Sequence, residues 1–355
     1  MLRFLQYLLL PLALLYELVL RFRNLLYDAN LVAPSQFDIP TIVIGNLAFG
    51  GTGKTPHTEY LIKLLRDKHK LGVLSRGYGR RTNGYFFADE NTNALFIGDE
   101  PYQIHLANPD VAVGVCENRV LGIPHLLYDA PETEVVLLDD AYQHRPLQAS
   151  LNILLTDFNK PYYEDFLVPS GYLREYRGAA KRASIIIVSK CPPDLSEAAA
   201  AKIKAAIKPL AHQHVFFSCI SYGKPVSVFE PKEMEADAQV LAFASIAQPA
   251  PFLTYLEANY TKVTYKWYAD HHILKPREIQ DLEERFQLLN GPTKAIITTA
   301  KDSSKLVSID LPESFTQLPI FYLPLTVKLL FNQEQELLQH LEHCIATVKA
   351  NQSNN

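Results

Sequence analysis

One stretch constrains this chain more than any other: Ile42-Val43-Ile44-Gly45-Asn46-Leu47-Ala48-Phe49-Gly50-Gly51-Thr52-Gly53-Lys54-Thr55-Pro56. A β-branched run ends in a glycine-rich turn, and the turn delivers Gly-Lys-Thr to the start of a helix. In a P-loop the backbone N–H groups of such a turn surround phosphate oxygens. The Lys reaches the β- and γ-phosphates and the Thr hydroxyl ligates Mg²⁺. The helix N-terminus adds the positive end of its dipole. Gly50, Gly51, Thr52, Gly53, Lys54 and Thr55 are therefore the expected nucleotide-binding residues. One letter departs from the general GxxxxGK[ST] pattern, because position 48 is Ala48 and not glycine.

The 355 residues suggest about two domains. A net charge of −4 gives no whole-chain attraction to nucleic acid. Cys116, Cys191, Cys219 and Cys344 have no metal-ligand spacing and read as thiols of a reducing compartment. Between Leu2 and Leu20 only Arg3, Gln6 and Glu17 are strongly polar. On a helix they align with Arg21, Asn24 and Asp28 in one narrow stripe, and the rest of the circumference is apolar. Glu17 and Pro11 argue against a spanning helix. The expectation is a helix over 1–28 lying in one leaflet, with its polar stripe toward water and Arg21 and Arg23 near headgroups. The competing reading buries this helix against the protein's own core.

After Pro34 the pattern alternates between strand and helix. Expected strands are Thr41–Ile44, Gly72–Ser75, Ala94–Ile97, Val111–Val115, Val135–Asp139, Asn152–Thr156 and Ser184–Ser189. They are apolar on both faces, as in a parallel sheet covered by helices. The fold class is α/β: a P-loop NTPase core with a doubly wound, mostly parallel sheet over 29–214. Val215–Ser221 and Val226–Phe229 read as a two-stranded hinge over 215–230. A smaller α/β domain follows over 231–355, with strands Val240–Phe243, Ala295–Thr299 and Ile320–Leu323 and a closing amphipathic helix.

Val135–Asp140 is an apolar strand ending in two acids, the form of a Walker B strand whose Asp holds Mg²⁺. The pair leaves open which of Asp139 and Asp140 touches the metal. Gly98-Asp99-Glu100-Pro101 offers two carboxylates, suited to a base for an acceptor hydroxyl and a metal contact, or to a plain turn. Arg76, Arg80 and Arg81 lie in a glycine-broken basic loop suited to phosphate recognition. Gln143, His144, Arg174 and Glu175 form polar clusters in loops. Asp270-His271-His272 fits metal binding, proton transfer or a cap, since adjacent histidines point in different directions. Thr298–Asp302 reads as a polar strand end.

In this order the pieces resemble one family, tetraacyldisaccharide 4'-kinase, across nearly the whole chain. The matching stretches are the apolar N-terminal helix, Gly45–Pro56 with its missing first glycine, Ser75–Arg80, Gly98–Pro101, Asp139–Arg145, Leu173–Glu175, Asp270–His272 and Thr299–Asp302. The resemblance implies ATP-dependent phosphorylation of the 4'-hydroxyl of an acylated disaccharide 1-phosphate, at the cytoplasmic face of the bacterial inner membrane. It implies ATP and Mg²⁺ as cofactors, with Lys54 on the phosphates and Thr55, Asp139, Asp140 and Glu100 around the metal. It makes Asp99 the catalytic base and His271 its partner. Arg76, Arg80, Gln143, His144, Arg174 and Glu175 become substrate or phosphate contacts. The partners are the lipid and the membrane surface, with no nucleic acid and no obligatory protein partner. Departures are Ala141-Tyr142 for Gly-Phe, Tyr176 for Pro, Ala244–Pro249 for a glycine-rich segment, and Ala300 for the Glu of Glu-Lys-Asp. A membrane-attached nucleotide switch and a P-loop maturation factor are the rival readings; the second lacks the Cys/His spacing it needs.

Overall fold

In β1, Ile42 and Ile44 point to one face and Val43 to the other, and all three are buried. A strand apolar on both faces needs helices above and below it. The computed structural model, which describes residues 8–235 and 237–353, provides both layers. Its strands are β1 Thr41–Asn46, β2 Leu71–Ser75, β3 Phe86–Phe87, β4 Ala112–Val115, β5 Val135–Asp139, β6 Leu151–Asp157, β7 Ile185–Ser189, β8 His214–Tyr222, β9 Val226–Ser227, β10 Gln239–Ala244, β11 Val263–Trp267, β12 Lys294–Thr299, β13 Ile320–Leu323 and β14 Leu325–Leu329. Its α-helices are α1 Leu10–Asp28, α2 Lys54–Leu65, α3 Ala94–Ile97, α4 Asp99–Ala107, α5 Arg119–Asp129, α6 Glu197–Ile207, α7 Ala250–Asn259, α8 Pro276–Gln287, α9 Ala300–Leu306, α10 Glu313–Thr316 and α11 Glu334–Ser353.

Nine strands form the first sheet, in the order β14-β8-β7-β6-β1-β5-β2-β4-β3. The pairs from β8 to β4 are parallel, and β3 and β14 close the two edges antiparallel. On one face Ile42, Ile44, Val135 and Leu137 pack with Leu61 and Leu65 of α2, Ile104 of α4 and Leu337 and Leu341 of α11. On the other, Val43, Val136 and Leu138 pack with Ile123 and Leu126 of α5 and Ala13 and Leu20 of α1. The chain order changes direction at β1, so the crevice at its carboxyl end is where an open α/β sheet binds ligand. The glycine-rich loop leaves β1 there.

The second sheet has the order β11-β10-β12-β13-β9, parallel apart from β9. Leu241, Phe243 and Ile296 meet α8 on one face. Val240, Ala242 and Ile297 meet Phe252 and Leu256 of α7 on the other.

Three expectations need correction. Ala94–Ile97 is a helical turn, capped by the Asn93 carboxamide oxygen accepting from the Leu95 N–H at 3.0 Å. A four-residue apolar run fits either state, and β3 already takes the edge position beside β4. Second, the ribbon of Val215–Ser221 with Val226–Phe229 does not form. β8 is held on both edges by β7 and β14, while β9 pairs with β13 in the other sheet. The chain crosses between the sheets twice, after β8 and after β13, and the Gly223 N–H bonds the Pro324 carbonyl at 2.8 Å where the crossings meet. β14 and α11 thus return to the first sheet and do not extend the second.

Third, the polar stripe of α1 turns to the protein at Asn24, while Arg21 and Asp28 beside it keep more than half of their side chains exposed. Asn24 is buried, and its amide donates to Glu175 Oε1 at 2.8 Å. Asp28 accepts from Arg145 at 2.6 Å, and the Arg21 guanidinium lies 4.9 Å over the Tyr176 ring. Leu12, Leu14, Leu15, Leu18, Val19, Phe22 and Leu25 are each more than half exposed. Arg3 and Gln6 lie outside the described residues. No helix among the described residues is long and apolar enough to cross a membrane.

Candidate active site

The loop between β1 and α2 is braced from three sides. Gly53 caps α2 at φ +85°, and a side chain there would also come within 2.9 Å of Ile220 Cδ1. His57 is fully buried beneath it, and burial lowers its pKa to about 4, so its ring is neutral. Its Nδ1–H donates to the Gly53 carbonyl at 2.7 Å, and its Nε2 accepts from the Ser218 hydroxyl at 2.9 Å. The Thr52 carbonyl accepts from Ser189 Oγ at 2.8 Å, and the Thr52 hydroxyl accepts from the Asn46 amide at 2.9 Å. Ala48, where the general pattern has glycine, bridges Leu173 as a strand residue would, while the Phe49 N–H bonds the Tyr172 carbonyl at 2.7 Å. An extended residue needs no glycine. Lys54 and Thr55 open α2 just beyond.

The two acids at the end of β5 have different surroundings. Asp139 is buried and accepts from Thr58 Oγ1 at 3.2 Å. Burial first, then the negative charge of Asp140, raises its pKa to about 6, with Glu100 adding to the push. Asp140, at φ +47°, lies 3.9 Å from Lys54 Nζ and accepts from both terminal nitrogens of Arg174. Burial pushes its carboxyl up, but Lys54 and Arg174 outweigh it and the group sits below its ordinary value. Beneath both lies Arg119, a buried guanidinium whose Nη2 donates to the carbonyls of Asp139 at 3.0 Å and Asp140 at 3.2 Å. No sequence signal marked Arg119: an arginine at a helix start reads as a solvated residue.

Asp99 and Glu100 open α4. Gly98 precedes them at φ +92°, and a Cβ there would meet the Tyr78 carbonyl at 2.7 Å, so glycine alone lets the basic loop pass over this helix end. The other half of the cluster comes from the second sheet. His271 Nδ1 lies 3.1 Å from Asp99 Oδ2, and Lys305 Nζ lies 3.6 Å from the same oxygen. Lys301 Nζ lies 3.2 Å from Glu100, 3.3 Å from Asp270 and 3.1 Å from His271 Nε2. Burial pushes Asp99 up, but the His271 hydrogen bond and then the Lys305 and Lys301 charges hold it below its ordinary value. The same bond raises His271, against burial and Lys301. With the proton on Nδ1 toward Asp99, Nε2 is free to accept from Lys301. The neighbouring His272 turns away, to Glu278 at 2.8 Å and a stack on Tyr268. Lys305 is buried and anchored by Asp302 at 3.0 Å and Ser245 Oγ at 2.8 Å, which gives the Thr299–Asp302 segment and the Ala244–Pro249 replacement a shared structural role.

The expected substrate contacts divide. Arg76 is exposed at the end of β2, and Tyr78 is exposed with its ring edge-on to His271 at 5.5 Å. Arg80 is turned into its own loop, bonded to Glu117 and, at 2.5 Å, to the Gly84 carbonyl. Arg174 bonds Asn46 Oδ1 at 2.7 Å as well as Asp140, and Gln143 bonds the Asn46 carbonyl at 2.8 Å, so both line the loop. His144 is held neutral at a pKa of about 4 by burial and by the charges of Arg119 and Arg76, and its Nε2 is buried with no partner among the described residues. Glu175 is fully buried, salt-bridged to Arg182 at 2.8 Å and bonded to Asn24, and serves α1 docking.

The model of the tetraacyldisaccharide-1-P 4'-kinase family matches residues 5–346. A tetraacyldisaccharide 4'-kinase of Bacteroides thetaiotaomicron is 41% identical over 345 residues, covering 93% of this chain and 91% of the relative. One of Flavobacterium johnsoniae is 42% identical over 316 residues, covering 87% of this chain and 90% of the relative. Among solved structures, LpxK of Aquifex aeolicus in complex with ATP aligns with a TM-score of 0.76 and 28% identity, over 96% of this chain and 99% of that one. With the glycine-rich loop, the paired acids and the Asp99–His271 contact in one crevice, the chain belongs to the tetraacyldisaccharide-1-P 4'-kinase family, the ATP-dependent kinases of lipid A biosynthesis.

Proposed function

We propose that Asp99 is the base of the reaction and that His271 and Lys305 set its charge and aim. The 4'-hydroxyl oxygen of the tetraacyldisaccharide 1-phosphate attacks the γ-phosphorus of ATP in line. Its proton passes to Asp99, the bond to the β,γ-bridging oxygen breaks, and ADP leaves. The observation that carries this is the 3.1 Å contact between Asp99, on a helix of the first sheet, and His271, on a loop of the second. A base completed across two sheets suits an enzyme that must hold two substrates before reacting.

Lys54, the loop amides and the α2 N-terminus cradle the phosphates. Thr55, Asp139, Asp140 and Glu100 would hold Mg²⁺, which takes oxygen donors. The fit is supported by Asp139, whose carboxyl is pushed up by burial and by its acidic neighbours and so gains from a cation. The ion, when bound, neutralises phosphate charge. Arg174, fixed on Asp140 and Asn46, and the exposed Arg76 are placed for phosphate oxygens, with Gln143 and His144 behind them. The uncovered Leu, Val and Phe face of α1 rests in the cytoplasmic leaflet of the inner membrane, where the acyl chains of the substrate lie.

Purified protein incubated with ATP, Mg²⁺ and tetraacyldisaccharide 1-phosphate gives a lipid one phosphate heavier by mass spectrometry, and Asp99→Ala abolishes the product while ATP binding persists. Release of inorganic phosphate with no phosphorylated lipid would instead identify a nucleotide switch. Unchanged turnover in Asp99→Ala would remove Asp99 as the base.

A further inference from the structure

At the amino end of β8 three side chains with metal-binding chemistry converge. They are His214, the first residue of β8, and Glu336 and His340, one turn apart on α11. One ligand atom from each lies within 4.8 Å of the other two. The two imidazole rings stand 3.7 Å apart at their centroids, tilted by 36°. Among the described residues neither imidazole has a hydrogen-bond partner. Gln333 donates to Glu336 Oε2 at 3.2 Å, which orients the carboxylate and leaves Oε1 open. Packing accounts for part of this, since His340 also meets Phe216 edge-on at 6.2 Å. It does not account for an exposed carboxylate gathered to the same point as two unpartnered imidazoles.

We infer that His214, Glu336 and His340 form a zinc site that fastens the C-terminal helix to the first sheet. Two neutral imidazole nitrogens and one carboxylate oxygen are a zinc donor set, with water completing the tetrahedron, whereas Mg²⁺ and Ca²⁺ prefer oxygen alone. Bonds of about 2.0 Å place tetrahedral ligand atoms about 3.3 Å apart. Rotation of the exposed Glu336 and of the part-exposed imidazoles closes the remaining gap. The spacing of Glu336 and His340 helps, because residues four apart share one helix face. The consequence reaches the nucleotide loop along β8. Four residues after His214, about 13 Å at strand rise, Ser218 bonds His57, and Ile220 lies against Gly53.

The test uses the full-length protein, stripped with a chelator and exchanged into chelator-free buffer. Zn²⁺ is titrated calorimetrically, and Co²⁺ is followed by its visible absorption. The wild type takes up one Zn²⁺ equivalent that His214→Ala and His340→Ala lose, with at least a tenfold weaker affinity. The intense visible bands of four-coordinate Co²⁺ disappear in the same variants. Equal zinc stoichiometry and affinity in wild type and both variants would overturn the inference. Should either histidine variant fold poorly by circular dichroism, Glu336→Gln at its exposed position decides: weakened zinc binding upholds the site and unchanged binding overturns it.

Discussion

Replacing His271 by alanine separates a base that is tuned from one that is merely present. The ring supplies the largest downward influence on the Asp99 carboxyl, with Lys305 and Lys301 next. A hydrogen bond to a charged group contributes about 1.5–3 kcal/mol. If that bond is made in the transition state, its loss lowers kcat by about 10- to 150-fold at about 1.4 kcal/mol per tenfold. Losing Asp99 itself removes general-base catalysis, about 10²- to 10⁴-fold. His271→Ala is therefore the milder variant. In an Asp99→Ala background it adds little, because the two side chains act as a unit.

The pH profile gives a second readout. As the proposed base Asp99 works ionised, and its folded pKa is depressed, so activity falls on the acid side only below the usual carboxylate range. Without His271 that pKa rises, and the acid limb of kcat/KM moves to higher pH. KM for ATP stays put, since Lys54 and its loop are untouched. His271→Gln, which can still donate, recovers part of kcat. The assay is initial-rate phosphorylation of the lipid across pH for the two single variants and the double variant. Additive losses, or an acid limb that does not move in His271→Ala, would refute the tuning argument.

Other expectations are more briefly drawn. Changing Leu14, Leu18 and Phe22 together to serine removes apolar area from the exposed face of α1, so cosedimentation with anionic vesicles is lost while ATP binding is retained. Arg119→Met takes the donor from the buried carbonyl of Asp139 and the part-buried one of Asp140, at about 1–3 kcal/mol for the buried group; thermal melting falls and the MgATP affinity weakens with it. Asp139, raised to about 6, binds its proton more tightly folded than unfolded, so metal-free protein loses stability as pH rises through about 6. Denaturation midpoints across that window show the slope, Mg²⁺ flattens it, and Asp139→Asn removes it.

The glycine-rich loop and the paired acids of the proposed site were legible because backbone chemistry writes itself locally. Gly53, Lys54 and Thr55 must be consecutive, and an apolar strand ending in Asp139-Asp140 is visible as a string. The Asp99–His271 pairing was not legible from physics, because 172 positions separate the partners and only topology joins them. Taken alone, Asp270-His271-His272 fits metal binding, proton transfer or a cap, and only the family resemblance singles His271 out. Arg119 and His57 escaped altogether: each works by bonding main-chain carbonyls, which leave no trace in side-chain pattern. The short run Ala94–Ile97 misled because four apolar residues carry too few periods to distinguish strand from helix. The ribbon of β8 and β9 misled because sequence neighbours were assumed to pair, although β8 found longer partners in β7 and β14.

The inversion of α1 follows from a different limit. Periodicity showed correctly that Glu17, Arg21, Asn24 and Asp28 share one side, but a polar stripe on a helix has two possible destinations, water or a polar partner. What decides is Glu175, a fully buried carboxylate that folding strips of its water. Such a charge is tolerated only when paired and hydrogen-bonded. Arg182 supplies two charged bonds, at 2.8 and 2.9 Å, Asn24 a third at 2.8 Å, and Gln143 a longer one at 3.3 Å. These contacts outweigh burial and keep Glu175 ionised below its ordinary pKa. Gln143 also bonds the carbonyl of Asn46, whose amide holds Thr52 of the nucleotide loop. Through Asn24 the polar stripe therefore completes a network that begins at the glycine-rich loop. Turning it inward leaves the apolar circumference nowhere to go but outward, which is why a helix docked on its own protein still presents so large an oily face.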